Sequence, residues 1–398
     1  MEKIRILYYE PSSGFGGSAR SLKDILSKLD SNVFHPVVAV LDDGPAIKEI
    51  AALGFEVIQL IDKRGEAGPV FTVDLINGYW NYLLFIFKRV LPIGLKLFFL
   101  IRKERIDLIH INSPIRNGLE AILAARLTGV TAICHPRSTW RWSRIEQWAA
   151  GMVSKYICLT DEAQKMYEQY VQKEKLIKIY NGIDFEKLSA MIGLKDIRKE
   201  LGIGASHKIV GIVSRITEGK GIDNFLKAAK AVLSEDADIK ILVVGEAITE
   251  DEVRFKKNLL ALVDELDIAD DVIFTGWRED VLDVISIMDV MVQASTMPEG
   301  FGRTCVEAMA LSVPLVVTNV PGPSEIVVNQ ETGLIVPPGD IKAMAGAVLA
   351  ILRDRALSDR FARNGRIRAE RLYDLNMTVK QIENIYLELA PQSSATGR

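Results

Sequence analysis

Two carboxylates stand eight positions apart in MPEGFGRTCVEAMA, residues 297–310: Glu299 in a glycine-punctuated loop and Glu307 in a helical pattern, with Arg303 the one charge between them. The strand DVMVQAS precedes the loop, and a helix beginning at Arg303 or Thr304 follows it. Such a helix start offers unpaired N–H groups and roughly half a positive charge, a preference of about 1 kcal/mol for an anion. Glu307 could simply favour that dipole, whereas Glu299 above a sheet needs solvent or a polyol partner. A second stretch, SRITEGKGIDNF, places Arg215 at the end of a strand and Lys220 five positions later in a glycine-flanked turn. Two cations there can neutralise a diphosphate, although the spacing is not that of a P-loop and a solvated basic loop competes with the anion reading. A nucleotide sugar suits all these parts: cations and N–H groups for the diphosphate, carboxylates for the hydroxyls.

A third candidate is GFGGSA, where Gly14, Gly16, Gly17 and Ala19 spell G-x-G-x-x-A after a strand and Asp42 follows the next strand. That is the pattern of a dinucleotide site. Glu10, Pro11, Ser12 and Ser13 nevertheless separate strand from loop, and a dinucleotide turn is immediate. The remaining readings are a helix-capping loop, or a close backbone approach by phosphate or sugar where no Cβ intervenes. The four histidines, at 35, 110, 135 and 207, lack metal-ligand spacing, and Asp236-Ala-Asp238 precedes a strand, at the wrong end of a sheet. Neither a metal nor a cofactor is expected, and no G-x-S-x-G elbow suggests hydrolysis.

The elements that must position these groups read as α/β. Strand patterns fall at 4–9, 35–41, 55–60, 107–111, 130–135, 155–159 and 176–180, then at 208–214, 239–245, 272–275, 289–293, 313–318 and 333–336. Most are short and uniformly apolar, as in parallel sheets covered on both faces, and helical patterns separate them. Both IRILYYEPSSGFGGSARSLKDIL and KIVGIVSRITEGKGIDNFLKAAK open as strand, glycine loop and helix. The expectation is two doubly wound, Rossmann-like domains, 1–184 and 185–374, with a helix at about 375–390 returning to the first. Ligands of such sheets bind at the carboxyl ends of the strands, and two domains facing each other would make a cleft there. The net charge of −3 argues against a nucleic-acid binder. Cys134, Cys158 and Cys305, odd in number and set in apolar runs, suit a reducing cytoplasm. The start reads as a first strand rather than a secretory signal, and PQSSATGR as a disordered tail.

At this point RITEGKG, ASTMPEGFGRTCVEAMALSVPLVVTNVPGPSEIV and ETGLIVPPGD, supported by GFGGSA, DLIHINSP, AICHP and IYNGID, resemble glycosyltransferase family 4, retaining enzymes of GT-B fold. The resemblance implies a nucleotide-diphosphate sugar donor bound mainly by the second domain and an acceptor, glycan or lipid-linked, bound mainly by the first. It places Glu299 at the donor sugar in the loop with Gly300, Phe301 and Gly302, Glu307 at the ribose, and N–H groups around Thr304 and Cys305 at the diphosphate. Arg215 and Lys220 complete that cradle. His135 matches an active-site histidine, and Gly16 and Gly17 a loop near donor phosphate and acceptor. One departure is His110-Ile-Asn112, where many relatives have H-x-H, which puts the second position in doubt and reads His110 as structural. Retention by front-face displacement follows, the leaving diphosphate assisting acceptor deprotonation without a metal. Alternatives from other classes are a different GT-B enzyme such as a nucleotide-sugar 2-epimerase, a nicotinamide-dependent oxidoreductase, and a non-catalytic sugar binder.

Residues 79–105, YWNYLLFIFKRVLPIGLKLFFLIRKER, hold six basic residues against Glu104. No uncharged run reaches the roughly 18–20 residues that span a bilayer. Arg89, Lys96 and Lys103 recur every seven residues on one helix face, with a break or kink expected at Pro92. A core-packing helix competes with an interfacial segment on an anionic cytoplasmic leaflet, near a lipid-linked acceptor.

Overall fold

The computed structural model describes residues 2–11, 17–41, 44–60, 84–138, 141–191, 193 and 196–391. Gly14 and Gly16 of the glycine loop, Asp42, residues 79–83 and the tail 392–398 therefore lie outside the described residues. The chain forms two compact units, Met1–Gly182 with Leu375–Arg398, and Ile183–Asp374.

In the first unit, β1 (Ile4–Glu10), β2 (Phe34–Val40), β3 (Glu56–Gln59), β4 (Leu108–Ile111), β5 (Thr131–Cys134), β6 (Lys155–Cys158) and β7 (Leu176–Lys178) form one sheet in the order β3-β2-β1-β4-β5-β6-β7. In the second, β8 (Lys208–Val213), β9 (Ile239–Val244), β10 (Val272–Gly276), β11 (Val290–Gln293), β12 (Leu315–Thr318) and β13 (Leu334–Val336) lie in the order β10-β9-β8-β11-β12-β13. The described ladders run parallel, for example Tyr8 opposite His110 and Val292 opposite Ile212. Parallel neighbours need crossovers, and helices on both faces explain why the strands read as unbroken apolar runs. Side chains alternate: Leu7, Tyr9, Ile109 and Cys134 enter one core layer, while Ile6, Tyr8, Leu108 and Ile133 enter the other.

Strand order reverses between β1 and β4, and again between β8 and β11. At each reversal the outgoing connections part and leave a crevice beyond the carboxyl ends. Glu10 and Asn112 flank the first; Ser214, Arg215 and Ala294 flank the second.

The helix Leu375–Leu389 belongs to the first unit. Leu375, Val379, Ile382 and Tyr386 recur at helical spacing and are buried there. A Cβ at Gly182 would lie 2.4 Å from Leu375 Cα, so the chain can pass beside this helix only as glycine. Thr378 donates to Tyr180 O at 3.0 Å, and Glu383 accepts from the Asp30 amide at 2.9 Å.

The break expected at Pro92 takes another form. A π-helical turn, Ile86–Val90, runs directly into the helix Leu91–Lys103, with Pro92 in its first turn. Proline cannot donate an amide and crowds the carbonyl four residues earlier, and the wider turn before it relieves both. The basic row also resolves differently. Arg89 bonds the fully buried Glu120 at 3.2 Å and Lys96 donates to Leu60 O at 2.5 Å, so both hold the fold.

Candidate active site

Beyond β11 and β8, Lys220 Nζ lies 2.7 Å from Glu299 Oε1. The same carboxylate accepts from Gln293 Nε2 and Ser295 Oγ. Gln293 is itself held by Ser295, whose amide donates to Gln293 Oε1 at 2.9 Å, and Thr318 Oγ1 donates to Ser295 O at 2.6 Å. Glu299 thus has a fixed position that the ends of two adjacent strands determine. Sequence reading missed Gln293, Ser295 and Thr318; the signal was there, polar residues closing the apolar runs DVMVQAS and PLVVT.

Close backbone approaches hold the two loops. Thr296 N donates to Gly219 O, and Glu299 N to Pro321 O, both at 3.0 Å. A Cβ at Gly322, where φ is +93°, would meet Glu299 O and Phe301 O at 2.8 Å. Gly221 has φ +65°, and its Cβ would lie 2.1 Å from Ala294 O. Gly221→Ala is therefore expected to cost about 2–4 kcal/mol, from left-handed strain and the backbone collision, and to pull Lys220 away from Glu299. Urea unfolding measures this, and a loss below about 0.5 kcal/mol would show that the turn has room to relax.

The helix Arg303–Ala310 starts after Gly302, at φ +106°. Glu307, 3% exposed, pairs with Arg303 at 2.9 Å. Its carboxylate is thus already matched by a cation one turn earlier. The Cys305 amide donates to Gly302 O at 3.0 Å, across the first turn of the helix. The Cys305 side chain is fully buried, and burial pushes its thiol well up. Phe301 is buried edge-on against Tyr373 at 5.8 Å, an anchor for the loop rather than a ligand surface. Gly300 and Thr304 are half-buried beside it. Arg215 stands apart from Lys220: its Nε lies 2.7 Å from Glu252 of the helix Glu250–Glu265. The two expected diphosphate cations therefore sit on different carboxylates.

In the first unit, His135 follows β5, its amide donating to Ile111 O at 2.8 Å, and its side chain is buried. His110 Nε2 lies 3.2 Å from His135 Nδ1. His135 Nε2 is buried without a partner among the described residues. Burial, then the nearby Arg137 cation, lowers the His110 pKa to about 3, and the same causes hold His135 well below the usual histidine range. Both rings are neutral at working pH. Gly17 opens the helix Gly17–Lys28, with nothing among the described residues within 4 Å of where a Cβ would stand.

The doubtful position, Asn112, has a clear structural task. Its amide nitrogen donates to Glu10, and its oxygen accepts from Arg137 Nε at 2.7 Å, while Arg137 Nη1 donates to Asn181 Oδ1 at 2.7 Å. A neutral histidine also carries one donor and one acceptor, but on separate edges of its ring rather than on the two adjacent atoms of one amide. Glu10, Asn112, Arg116, Arg137, Arg141 and Trp142 border a cavity of about 620 Å³ in this unit, a size suited to a small organic ligand.

Among the described residues no group of three or more His, Cys, Asp or Glu could hold a metal ion. Two family models match the chain, Glycosyltransferase Family 4 over residues 15–187 and Glycosyl transferases group 1 over residues 195–368. The chain is 24% identical over 314 residues to the Escherichia coli UDP-Gal:alpha-D-GlcNAc-diphosphoundecaprenol alpha-1,3-galactosyltransferase, covering 74% of this chain and 79% of that one. It is 32% identical over 206 residues to the Staphylococcus aureus capsular polysaccharide biosynthesis glycosyltransferase CapM, 52% of each chain. Among solved structures, Anabaena HepE in complex with UDP superposes with a TM-score of 0.79 at 22% identity, over 97% of this chain and 100% of that one. With these matches falling on both sheets and on the site loops, the chain belongs to glycosyltransferase family 4 and is a glycosyltransferase of two-domain GT-B fold.

Proposed function

We propose that the protein is a retaining transferase that takes a sugar from a nucleotide-diphosphate donor to an acceptor hydroxyl on a lipid-linked or polysaccharide precursor, without a metal. The observation that carries this reading is the Lys220–Glu299 pair, 2.7 Å apart at a switch point and held by Gln293 and Ser295. A bound donor would part the pair, its diphosphate drawing Lys220 and its sugar hydroxyls taking Glu299. Arg215 would leave Glu252 to join the diphosphate, and Glu307 would face the ribose. The leaving diphosphate would collect the acceptor proton, its charge stabilised by these cations and the amides at the start of the helix Arg303–Ala310. Domain 1–184 would take the acceptor and domain 185–374 the donor. The UDP in HepE and the UDP-sugar donor and diphospholipid acceptor in the E. coli enzyme's name favour UDP among bases and a lipid diphosphate among acceptors. Thermal melts with 1 mM UDP, GDP, ADP and TDP test the donor, UDP being expected to raise Tm by several degrees equally with and without EDTA. Stabilisation by none, or only with added magnesium, would overturn the donor reading or its metal independence respectively.

Membrane contact belongs to the same proposal. No described helix is long and apolar enough to cross a membrane. Leu84, Phe87, Leu91, Leu95 and Phe99 are exposed at helical spacing, with Lys88, Arg102 and Lys103 exposed beside them. An apolar stripe flanked by cations fits an anionic leaflet at a cytoplasmic face. Vesicles of phosphatidylglycerol should retain the protein at low salt and release it on Phe87→Asp with Phe99→Asp. Equal retention of wild type and variant, or none by either, would remove the stripe from the reading.

A further inference from the structure

Four buried polar side chains form one line in the first unit: Tyr8, Tyr386, His110 and His135, each at most 1% exposed. Tyr386 OH lies 2.9 Å from Tyr8 OH and 2.6 Å from His110 Nδ1, and His110 Nε2 lies 3.2 Å from His135 Nδ1. Tyr8 and His110 are register partners on adjacent strands, so they share a face, and Tyr8 stacks on the His110 ring with centroids 5.1 Å apart. Tyr386 comes from the C-terminal helix, which lies over that face.

Neutral groups of this kind carry one mobile proton each, so four protons meet three hydrogen bonds. One proton is left over, and it must stand at one end of the line. If every donor points toward Tyr8, the spare proton is on Tyr8 and His135 Nε2 is a bare lone pair. If every donor points the other way, His135 Nε2 carries the proton and becomes a donor. Neighbouring charges decide between the two. Both arrangements are neutral and differ only in the direction of the dipole along the line; the Glu383 carboxylate acts at the Tyr8 end and the Arg137 guanidinium at the histidine end, which favours the spare proton on Tyr8 and the bare lone pair on His135.

We propose that Tyr386, acting through His110, is a positioning residue that fixes His135 as its Nδ1–H tautomer and so presents Nε2 as a hydrogen-bond acceptor for a substrate hydroxyl. The proposal rests on the reading of His135 as a site residue. Its physical basis is the unpartnered, buried Nε2, which is left for a ligand once the other three bonds are made.

Tyr386→Phe removes the acceptor of the His110 Nδ1 proton, and a buried unpaired N–H is costly. His110 is then better off protonated at Nε2, donating to His135 Nδ1 and leaving the His135 proton on Nε2, where on the proposed reading a site water or a substrate oxygen can accept it, whereas His110 Nδ1 has lost its acceptor. Tyr8→Phe leads to the same state, because the Tyr386 hydroxyl loses its outlet and turns to His110. The experiment is two-bond proton–nitrogen NMR on the full chain with labelled histidine, four resonance sets in all, assigned by single His→Gln variants. The expected result is an Nδ1–H tautomer for His135 in the wild type and an Nε2–H tautomer in both tyrosine variants. Alongside it, kcat for UDP release from UDP-glucose should fall about 10-fold, with little change in the Kd for UDP. An unchanged His135 tautomer in both folded variants overturns the proposal, and so does a switched tautomer with unchanged kcat. If His135→Gln itself turns over at the wild-type rate, the site reading of His135 fails, while the NMR result still decides the relay. Glu383→Gln keeps every group of the line in place and should move the tautomer balance in the same direction, which guards against a tyrosine variant that does not fold.

Discussion

Glu299→Gln and Lys220→Ala are each expected to lower turnover by roughly 10²- to 10⁴-fold while the protein stays folded. Glu299→Gln keeps a side chain of the same shape but removes the charge that faces Lys220 at 2.7 Å and accepts from Gln293 and Ser295. Lys220→Ala removes a cation whose task, on the proposed mechanism, grows as the diphosphate leaves; an interaction stronger in the transition state acts on kcat. Stability should hardly follow. Lys220 is 28% exposed, and ion pairs of such accessibility contribute about 0–1 kcal/mol after screening. The two effects should also fall short of additivity in the double variant, because the pair shares one partner and acts as a unit. The measurement is kcat and KM for donor hydrolysis or transfer, with melting curves beside them. Near-normal turnover by Lys220→Ala would sink the diphosphate assignment. A collapse of Tm would instead mean that the pair is structural.

Lowering the pH from 7.5 to 5 is expected to destabilise the first unit by at least about 2 kcal/mol. His110 is neutral in the fold because burial and Arg137 bring its pKa from 6.5 to about 3. In the unfolded chain it takes up a proton below about 6.5, so the unfolded state binds more protons and stability falls as pH falls. The contribution is fully present above the unfolded pKa and is lost progressively between about 6.5 and 3. His135 adds in the same direction. Glu246 and Glu252 of the second unit lose stability in a different window. Burial raises the Glu246 and Glu252 pKa values, but Lys256, Arg215 and local amides outweigh it and lower them, so their loss begins only below about 4.5. Denaturant melts at pH 7.5, 6.5 and 5, with His110→Gln as the flattened control, check the sign. Constant stability between pH 6.5 and 5 would contradict the burial of neutral histidines.

What the sequence by itself determined was periodic or local. Most of the thirteen short runs between helical patterns are uniformly apolar, as parallel strands covered on both faces require, and all thirteen form strands within about two residues of their expected bounds, the edge strand β3 (EVIQ) being the least apolar and the most exposed. The glycines of MPEGFGRTCVEAMA and TEGKG likewise mark the loops at the carboxyl ends, because a positive φ and a missing Cβ are local requirements. Family motifs then named Glu299 and Lys220. Tertiary structure alone decided the partners. Lys220 and Glu299 are seventy-nine residues apart, and nothing local distinguishes that pair from Arg215 with Glu252, or fixes Arg89 on Glu120 rather than in a basic row facing solvent. A charged side chain settles on whichever opposite charge or carbonyl the fold brings within reach, and in a doubly wound sheet that follows strand order, not sequence distance. The same holds for the buried line of hydrogen bonds at His135. Tyr386 reads in sequence as one more apolar-face residue of a terminal helix, and only the docking of that helix over β1 and β4 sets its hydroxyl between Tyr8 and His110. Burial there removes water as the alternative partner, and so a residue 276 positions away becomes the hydrogen-bond partner of a histidine.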